Sequence, residues 1–504
     1  MLEQRLTQSG LYFNAASRST LIFGERLLQT AFGFKSRDAA GITTCRCRNI
    51  RGGDGRLPLE RLLAIQGTSP ADDEVFVALG ADELTSWSDK PKKATSVLSG
   101  LAAHRRPEIA TKVLDLMAAS GIETNVFHYT AVISACEKSC QWPLALSLLS
   151  NMPIMHVTPD VFSFSSAISA CAAGNQWPLA LSILSSMPTM NSMPDRFSYS
   201  GAISACEKAG KWQLALLLLC HMFQVRVAPN EVSYSAAISA CEKVGHFEMA
   251  LALLSDMSEL RVVPNVITYN AAISACEKAG QVQVALSLLS SMPAVRVAPD
   301  VISFSAAISA CEKVGQWELA IDLLRSMHKS RVAPEETSYS AALSACEKAS
   351  QWQLALHLLS YMPEVRVVPQ EVSYSAAISA CGKGGQWQFA SWLLQGDMRL
   401  RQVRPNDISH NAALSSCAKE GHWQVVLGLL SSMPDSRVAP NGITYGTAFS
   451  ACGKAGQWPL TLDLLSRMPD ARVTLERRGY SAVISALEQS GAFHRFKIQE
   501  MNLA

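Results

Sequence analysis

The chain has 504 residues, 48% of them apolar and 17% charged, with a formal net charge of +2. A balance so near neutral excludes a bulk electrostatic case for a polyanion. No apolar run reaches the about 18–20 residues that a membrane span needs, so membrane insertion is not expected.

Residues 1–56 carry nine Lys/Arg against four acids, together with Ser, Thr and short apolar pieces such as LIFGERLLQTAFGF. That is the pattern of an organellar transit peptide, with a disordered basic tail as the alternative. Mitochondrion and chloroplast are not separable on this pattern. Residues 57–90 read as a linker with one short helix in RLPLERLLAI.

A repeat governs the rest. VSYSAAISACEK at 232–243 returns as ISFSAAISACEK at 302–313 and VSYSAAISACGK at 372–383. A cysteine marks each copy: Cys136, Cys171, Cys206, Cys241, Cys276, Cys311, Cys346, Cys381, Cys417 and Cys452, spaced by 35 residues with one spacing of 36. A fixed period in this range marks a solenoid, one body of stacked units, and overrides the three or four domains that length alone suggests. The frame gives a degenerate repeat at 91–125, ten repeats over 126–476, and a partial capping repeat at 477–504. The 36-residue unit, 371–406, has its extra residue near Gly396.

Within 231–265, Tyr234, Ala237, Ile238 and Cys241 fall at i, i+3, i+4, i+7 on one helix face. Gly245 follows, suited to a left-handed helix end. Phe247, Ala250, Leu251, Leu254 and Met257 repeat the spacing on a second helix. Trp takes the Phe247 position at Trp142, Trp212, Trp317 and Trp458, and these aromatics are expected as core between the paired helices. The fold class is therefore all-α, an α-solenoid superhelix of helix–turn–helix units. Neighbouring helices lie about 8–10 Å apart, whereas a disulfide needs Cα atoms within about 7 Å. The cysteine column thus reads as small buried apolar residues. Cys45 and Cys47 stand too close together and too isolated for a zinc finger, and no metal site is read.

The first helix has a polar face, with Ser235, Ser239, Glu242 and Lys243 on it and Val232 at its edge. Lys243 belongs to a column: Lys138, Lys208, Lys243, Lys278, Lys313, Lys348, Lys383, Lys419 and Lys454. One cation per repeat suits a phosphate backbone. Against this, 126–476 holds 24 Lys/Arg and 26 Asp/Glu.

The 35-residue period, the opening V-x-Y-(S/N)-x-x-(I/L), the K-x-G after the first helix, the A-L-x-L-L-x-x-M second helix and the closing V-x-P-(D/N) resemble the pentatricopeptide repeat family, in its plain class. The resemblance covers roughly 91–496. It implies a binder of single-stranded RNA, an organellar transcript, that reads one base per repeat. The fifth and last residues of each repeat would read the base: Thr130 with Asp160, Ser165 with Asp195, Ser200 with Asn230, Ser235 with Asn265, Asn270 with Asp300, Ser375 with Asn406, and Asn411 with Asn441. The second residues, Phe127, Phe162, Phe197, Val232, Ile267, Ile302, Val372 and Ile408, would pack on it. The family's pairing preferences imply a purine-rich site containing GGAAU. Ser305/Glu335, Ser340/Gln370 and Gly446/Glu476 depart from those preferences and imply no base.

The resemblance implies a role in transcript stabilisation, processing or translation. The deaminase domain of editing members needs H-x-E with C-x-x-C, and no such domain is expected after the repeats. Neither an enzyme, a catalytic residue nor a cofactor is expected. The alternative reading is a scaffold whose concave groove takes protein partners.

Overall fold

The computed structural model describes residues 58–65 and 72–467. The chain divides into two compact units, 1–271 and 272–504. Every described regular element in both is helical. The transit-peptide segment 1–56 and the capping repeat 477–504 lie outside the described residues.

Residues 57–90 hold more than the expected linker. Helices span Pro58–Leu63, Asp72–Leu79 and Ala81–Asp89, and they bury Leu62, Val75, Leu79, Leu84 and Trp87. They pack against the helices Pro91–Ala103 and Pro107–Ala119. Leu59 reaches Gly100, where an added Cβ would stand 2.6 Å from its Cδ2. These helices share no period with the repeats, so a search for period passes over them.

In the first unit the helix pairs are Val126–Lys138 with Trp142–Ile154, Val161–Ala173 with Trp177–Ser186, Arg196–Lys208 with Trp212–Gln224, and Glu231–Val244 with Phe247–Glu259. In the second, Val301–Val314 pairs with Trp317–Lys329, Glu336–Lys348 with Trp352–Tyr361, Asp407–Lys419 with Trp423–Ser432, and Gly442–Lys454 with Trp458–Arg467. Inside each unit a first helix packs on the first helices before and after it. It also packs on the second helices of its own and the preceding repeat. This is the tandem stacking of an α-solenoid, in which no hairpin covers its own apolar faces.

Tyr234, Ala237, Ile238 and Cys241 are fully buried, as their spacing requires, with Ala250 and Met257 opposite. Leu253 is buried and Leu251 half-buried, so the second-helix stripe sits slightly round from the expected one. Each large aliphatic buried here contributes roughly 1.5–3 kcal/mol. All ten repeat cysteines are free and buried. Burial pushes the thiols up, to about 12 at Cys136 and about 11 at Cys311. Gly245, at φ 79°, ends its helix in the left-handed region, which costs glycine nothing sterically.

Two sequence readings take physical form here. The extra residue of 371–406 is absorbed by a single π-turn, Leu393–Asp397, after which Met398 is buried in register. The tryptophans, in contrast, are not core within their own hairpin. Trp142, Trp212, Trp317 and Trp352 are half-buried at the first turn of the second helix. The rings of Trp142, Trp212 and Trp352 cover the next repeat. A Cβ on Gly174 would meet Trp142 Cδ1 at 2.2 Å, and one on Gly384 would meet Trp352 Cδ1 at 2.4 Å. Trp212 lies 4.4 Å from the His246 ring. The i, i+3 spacing marks the buried side of a helix but not which neighbour covers it.

Candidate nucleic-acid interface

The second residues form an apolar column open to solvent. Phe127 is 70% exposed, Val232 53% and Ile408 61%, and Phe162, Phe197, Ile267, Ile302 and Val372 are exposed likewise. Ile443 holds the same position and is exposed too. Large side chains left uncovered at one position of successive repeats mark a surface for contact rather than folding. In 336–370 the position is Thr337.

The last residue of each repeat is the N-cap of the next first helix, a role the sequence reading did not assign to it. The Oδ1 of Asp160 accepts from Ser163 N at 2.8 Å, Asp195 from Ser198 N at 2.9 Å, and Asn230 from Ser233 N at 2.9 Å. Asn265 does so from Thr268 N, Asp300 from Ser303 N, Asn406 from Ser409 N, and Asn441 from Thr444 N. The short Asx side chain reaches a backbone N–H otherwise left unsatisfied at the helix start. One oxygen is thereby fixed. The other group of the head, a carboxylate oxygen in Asp or an amide in Asn, gives the position either an acceptor or a donor.

The third residue joins this cap to the fifth residue of the repeat before. Ser163, Ser198, Ser233, Ser303, Ser338, Ser373, Ser409, Thr268 and Thr444 are all fully buried. Ser200 Oγ lies 2.8 Å from Ser233 Oγ and 3.2 Å from Asn230 Oδ1. Thr130 Oγ1 lies 2.9 Å from Ser163 Oγ, and Thr444 Oγ1 donates to Asn411 Oδ1 at 3.0 Å. Fifth and last residues of one repeat are thus held side by side by a hydroxyl of the next. Ser165, Ser235 and Ser375 instead bond back to carbonyls of their own first turn, those of Phe162, Val232 and Val372. Asn265 gives its amide N–H to the Glu231 carboxylate.

Glu335 and Gln370 make no cap bond. Neither is among the short side chains, Ser, Thr, Asp and Asn, that suit an N-cap. Ser305 still meets Ser338 at 2.8 Å, but Ser340 and Ser373 turn to the Glu336 carboxylate, each at 3.1 Å. Two of the repeats without an implied base are the two whose junctions lack the cap. In the third, Gly446 is described, while Glu476 lies outside the described residues.

The lysine column is not a uniform row of open cations. Lys243 pairs with Glu207 of the preceding repeat at 3.0 Å, Lys313 with Glu277 at 3.2 Å, Lys348 with Glu312 at 3.3 Å, and Lys383 with Glu347 at 3.0 Å. Lys278 has Glu242 at the same separation in sequence. Lys138, Lys208 and Lys454 have Ala102, Ala172 and Ala418 there instead, and Lys419, beyond the extra residue of 371–406, has Gly382 at 37. Lys454 accordingly donates to the carbonyls of Ala418 and Lys419.

A second cation column escaped the sequence reading. Arg226 and Arg261 in the first unit, and Arg296, Arg331, Arg366 and Arg437 in the second, lie in the loop before the last residue with φ between 56° and 62°. A left-handed arginine carries strain that glycine would avoid. The recurring R-V-x-P was the signal.

His128 takes the third position after Asn125. Its Nδ1 accepts from Asn125 N at 3.3 Å, and its Nε2 lies 3.2 Å from the Pro91 carbonyl. The ring is neutral, and burial holds its pKa below the ordinary histidine value. Among the described residues no helix is long and apolar enough to cross a membrane, and no three metal-ligating side chains converge.

Family models match along the array. "PPR repeat family" matches 229–278 and 264–313, "Pentatricopeptide repeat domain" matches 182–244, 322–384 and 393–455, and "PPR repeat" matches 302–332 and 443–473. "Pentatricopeptide repeat-containing protein" matches 94–170. No curated protein matches the chain. Among solved structures, maize PPR10 is 17% identical over 85% of this chain and 83% of its own, with a TM-score of 0.36. PPR10 in complex with an 18-nt psaJ RNA element is 21% identical over 86% and 79%, at 0.39. Yeast Rmd9p in complex with a 16-nt target RNA is 11% identical over 83% and 96%, at 0.36.

Proposed function

Since the chain belongs to the pentatricopeptide repeat family, we propose that it binds single-stranded RNA and reads one base per repeat. The observation that carries this reading is the repeated trio of an exposed apolar second residue, a polar fifth residue and a capping last residue. The apolar residue gives a base a face to pack on. The fifth and last residues offer donors and acceptors to its edge, and their buried third-residue partner spares them the entropy of ordering on contact.

Each repeat has its own chemistry under this reading. Asp160 and Asp195 present a carboxylate oxygen, while Asn230, Asn406 and Asn441 present an amide. The lysines without a glutamate opposite them in the preceding repeat, Lys138, Lys208, Lys419 and Lys454, serve the phosphates best. Lys243, Lys278, Lys313, Lys348 and Lys383 must leave a carboxylate to do so. In function the chain acts as a plain-class member on an organellar transcript in mitochondrion or chloroplast, occupying its site without chemistry of its own. Selection from a randomised single-stranded RNA pool at physiological salt tests the reading. It expects enrichment of a purine-rich motif resembling GGAAU, and motif-free retention contradicts it.

The neutral lysine–glutamate ladder favours a second reading, a peptide in the same groove. RNA affinity falls linearly in log–log terms with salt, and a mainly apolar peptide contact does not.

A further inference from the structure

In the second unit a repeat with an extra residue is followed by one whose aromatic position is broken, and a cavity of about 720 Å³ opens there. Repeat 371–406 has its extra residue and π-turn at Leu393–Asp397. Repeat 407–441 places His410 where its neighbours carry Tyr374 and Tyr445. Tyr374 fills its space and donates to Asp397 Oδ2 at 2.6 Å. His410 is shorter and lines the cavity with Ser432, Ser436, Arg399, Arg404 and Arg437. Local departures from a repeated pattern, π-turns included, concentrate at functional sites.

The donor set defines the ligand. Among the described residues that line the cavity none is a carboxylate, and the three arginines have no ion-pair partner among the described residues. They present fork-shaped donors that match phosphate oxygens. His410 is 1% exposed, and its Nδ1 lies 2.9 Å from the Asn406 carbonyl. A carbonyl only accepts, so Nδ1 carries the proton and Nε2 keeps a lone pair. Ser432 gives its proton to the Leu429 carbonyl at 2.8 Å, which leaves its oxygen an acceptor. Three cations beside two acceptors suit an anion that also has hydroxyl donors. The volume lies in the range of small-molecule sites.

We propose that this cavity binds a hydroxyl-bearing phosphate ester of the ribose phosphate class. The phosphate lies among Arg399, Arg404 and Arg437, and a hydroxyl donates to His410 Nε2. The cavity shares no residue with the second-, fifth- and last-residue columns, so it stands whether or not RNA binding does. A free ester and the phosphorylated end of an RNA present the same chemistry.

Isothermal titration of the full chain with ribose 5-phosphate at constant ionic strength tests the site, with ribose and inorganic phosphate as comparators. The expected result is saturable binding that exceeds both comparators and weakens at least about tenfold in the double variant R404Q/R437Q, since charge-assisted bonds are roughly twice as strong as neutral ones. His410→Tyr installs the residue that the neighbouring repeats tolerate and removes the binding with the fold intact by circular dichroism. No saturable binding by the unaltered chain, or equal binding by R404Q/R437Q and H410Y, overturns the proposal. A short RNA with a 5′-phosphate, compared with its 5′-hydroxyl form, separates the sources. A phosphate-dependent gain that H410Y loses assigns the RNA end, and equal affinity assigns the free ester.

Discussion

The junction at Asn230 and the junction at Glu335 come from nearly the same sequence and end differently. At the first, the cap, the buried Ser233 and the fifth-position Ser200 close a hydrogen-bonded trio. At the second, Ser305 and Ser338 still meet at 2.8 Å, but no cap holds the helix start. One methylene more in the last side chain, with a carboxylate in place of the amide, separates them, and Asp160 and Asp195 show that a carboxylate alone still caps. The lesson is that a single residue type at the repeat boundary both starts a helix and presents a hydrogen-bonding group beside the fifth residue. A repeat that loses one role loses the other.

The largest effect comes from breaking the closed junction. Asn230→Ala removes the cap and leaves the fully buried Ser233 hydroxyl with Ser200 Oγ as its remaining partner. It should cost about 1–2 kcal/mol, read as a lower denaturant midpoint. Repairing the open junction is the converse. Glu335→Asp should add about 1 kcal/mol by capping Ser338 N and, on the proposed reading, give that repeat a measurable base preference. A midpoint unchanged in both variants would remove the cap from the account.

The junction at Asn125 responds to pH because its third residue is His128. The folded state holds the neutral ring, below its ordinary value, so the unfolded chain binds more protons in acid. Stability from this group is complete above the unfolded value of about 6.5 and declines as pH falls through it. His128→Ser, which restores the hydroxyl of the other junctions, should flatten the profile between pH 7 and 5. The smallest effect on stability is at the ladder. Glu347→Gln breaks the Lys383 pair, which is partly exposed, and should cost under about 1 kcal/mol. It also frees a cation, so RNA retention should depend more steeply on salt.

Much of this was legible in the sequence. Tyr234, Ala237, Ile238 and Cys241 announce their buried face by spacing, and the extra residue near Gly396 foretells a local adjustment that proves to be a π-turn. The second-residue column was placed by register alone, yet only the structure shows Phe127 and Ile408 uncovered. What stayed hidden depends on neighbours. The partner of Lys243 is Glu207, 36 residues away, and not the adjacent Glu242. Trp142 covers Gly174 of the next repeat for the same reason. Helices between 58 and 89 lacked the period that organised the reading, and the cap role of Asp160 lay concealed behind its assignment to a base.

The account's central claim is that fifth and last residues act together on one base. Asn270→Ser tests it most directly, in competition binding against single-stranded RNAs that differ at one position each. The account predicts a changed preference at a single nucleotide, with every other position as in the unaltered chain. Uniform loss of affinity, or no change at any position, would contradict it.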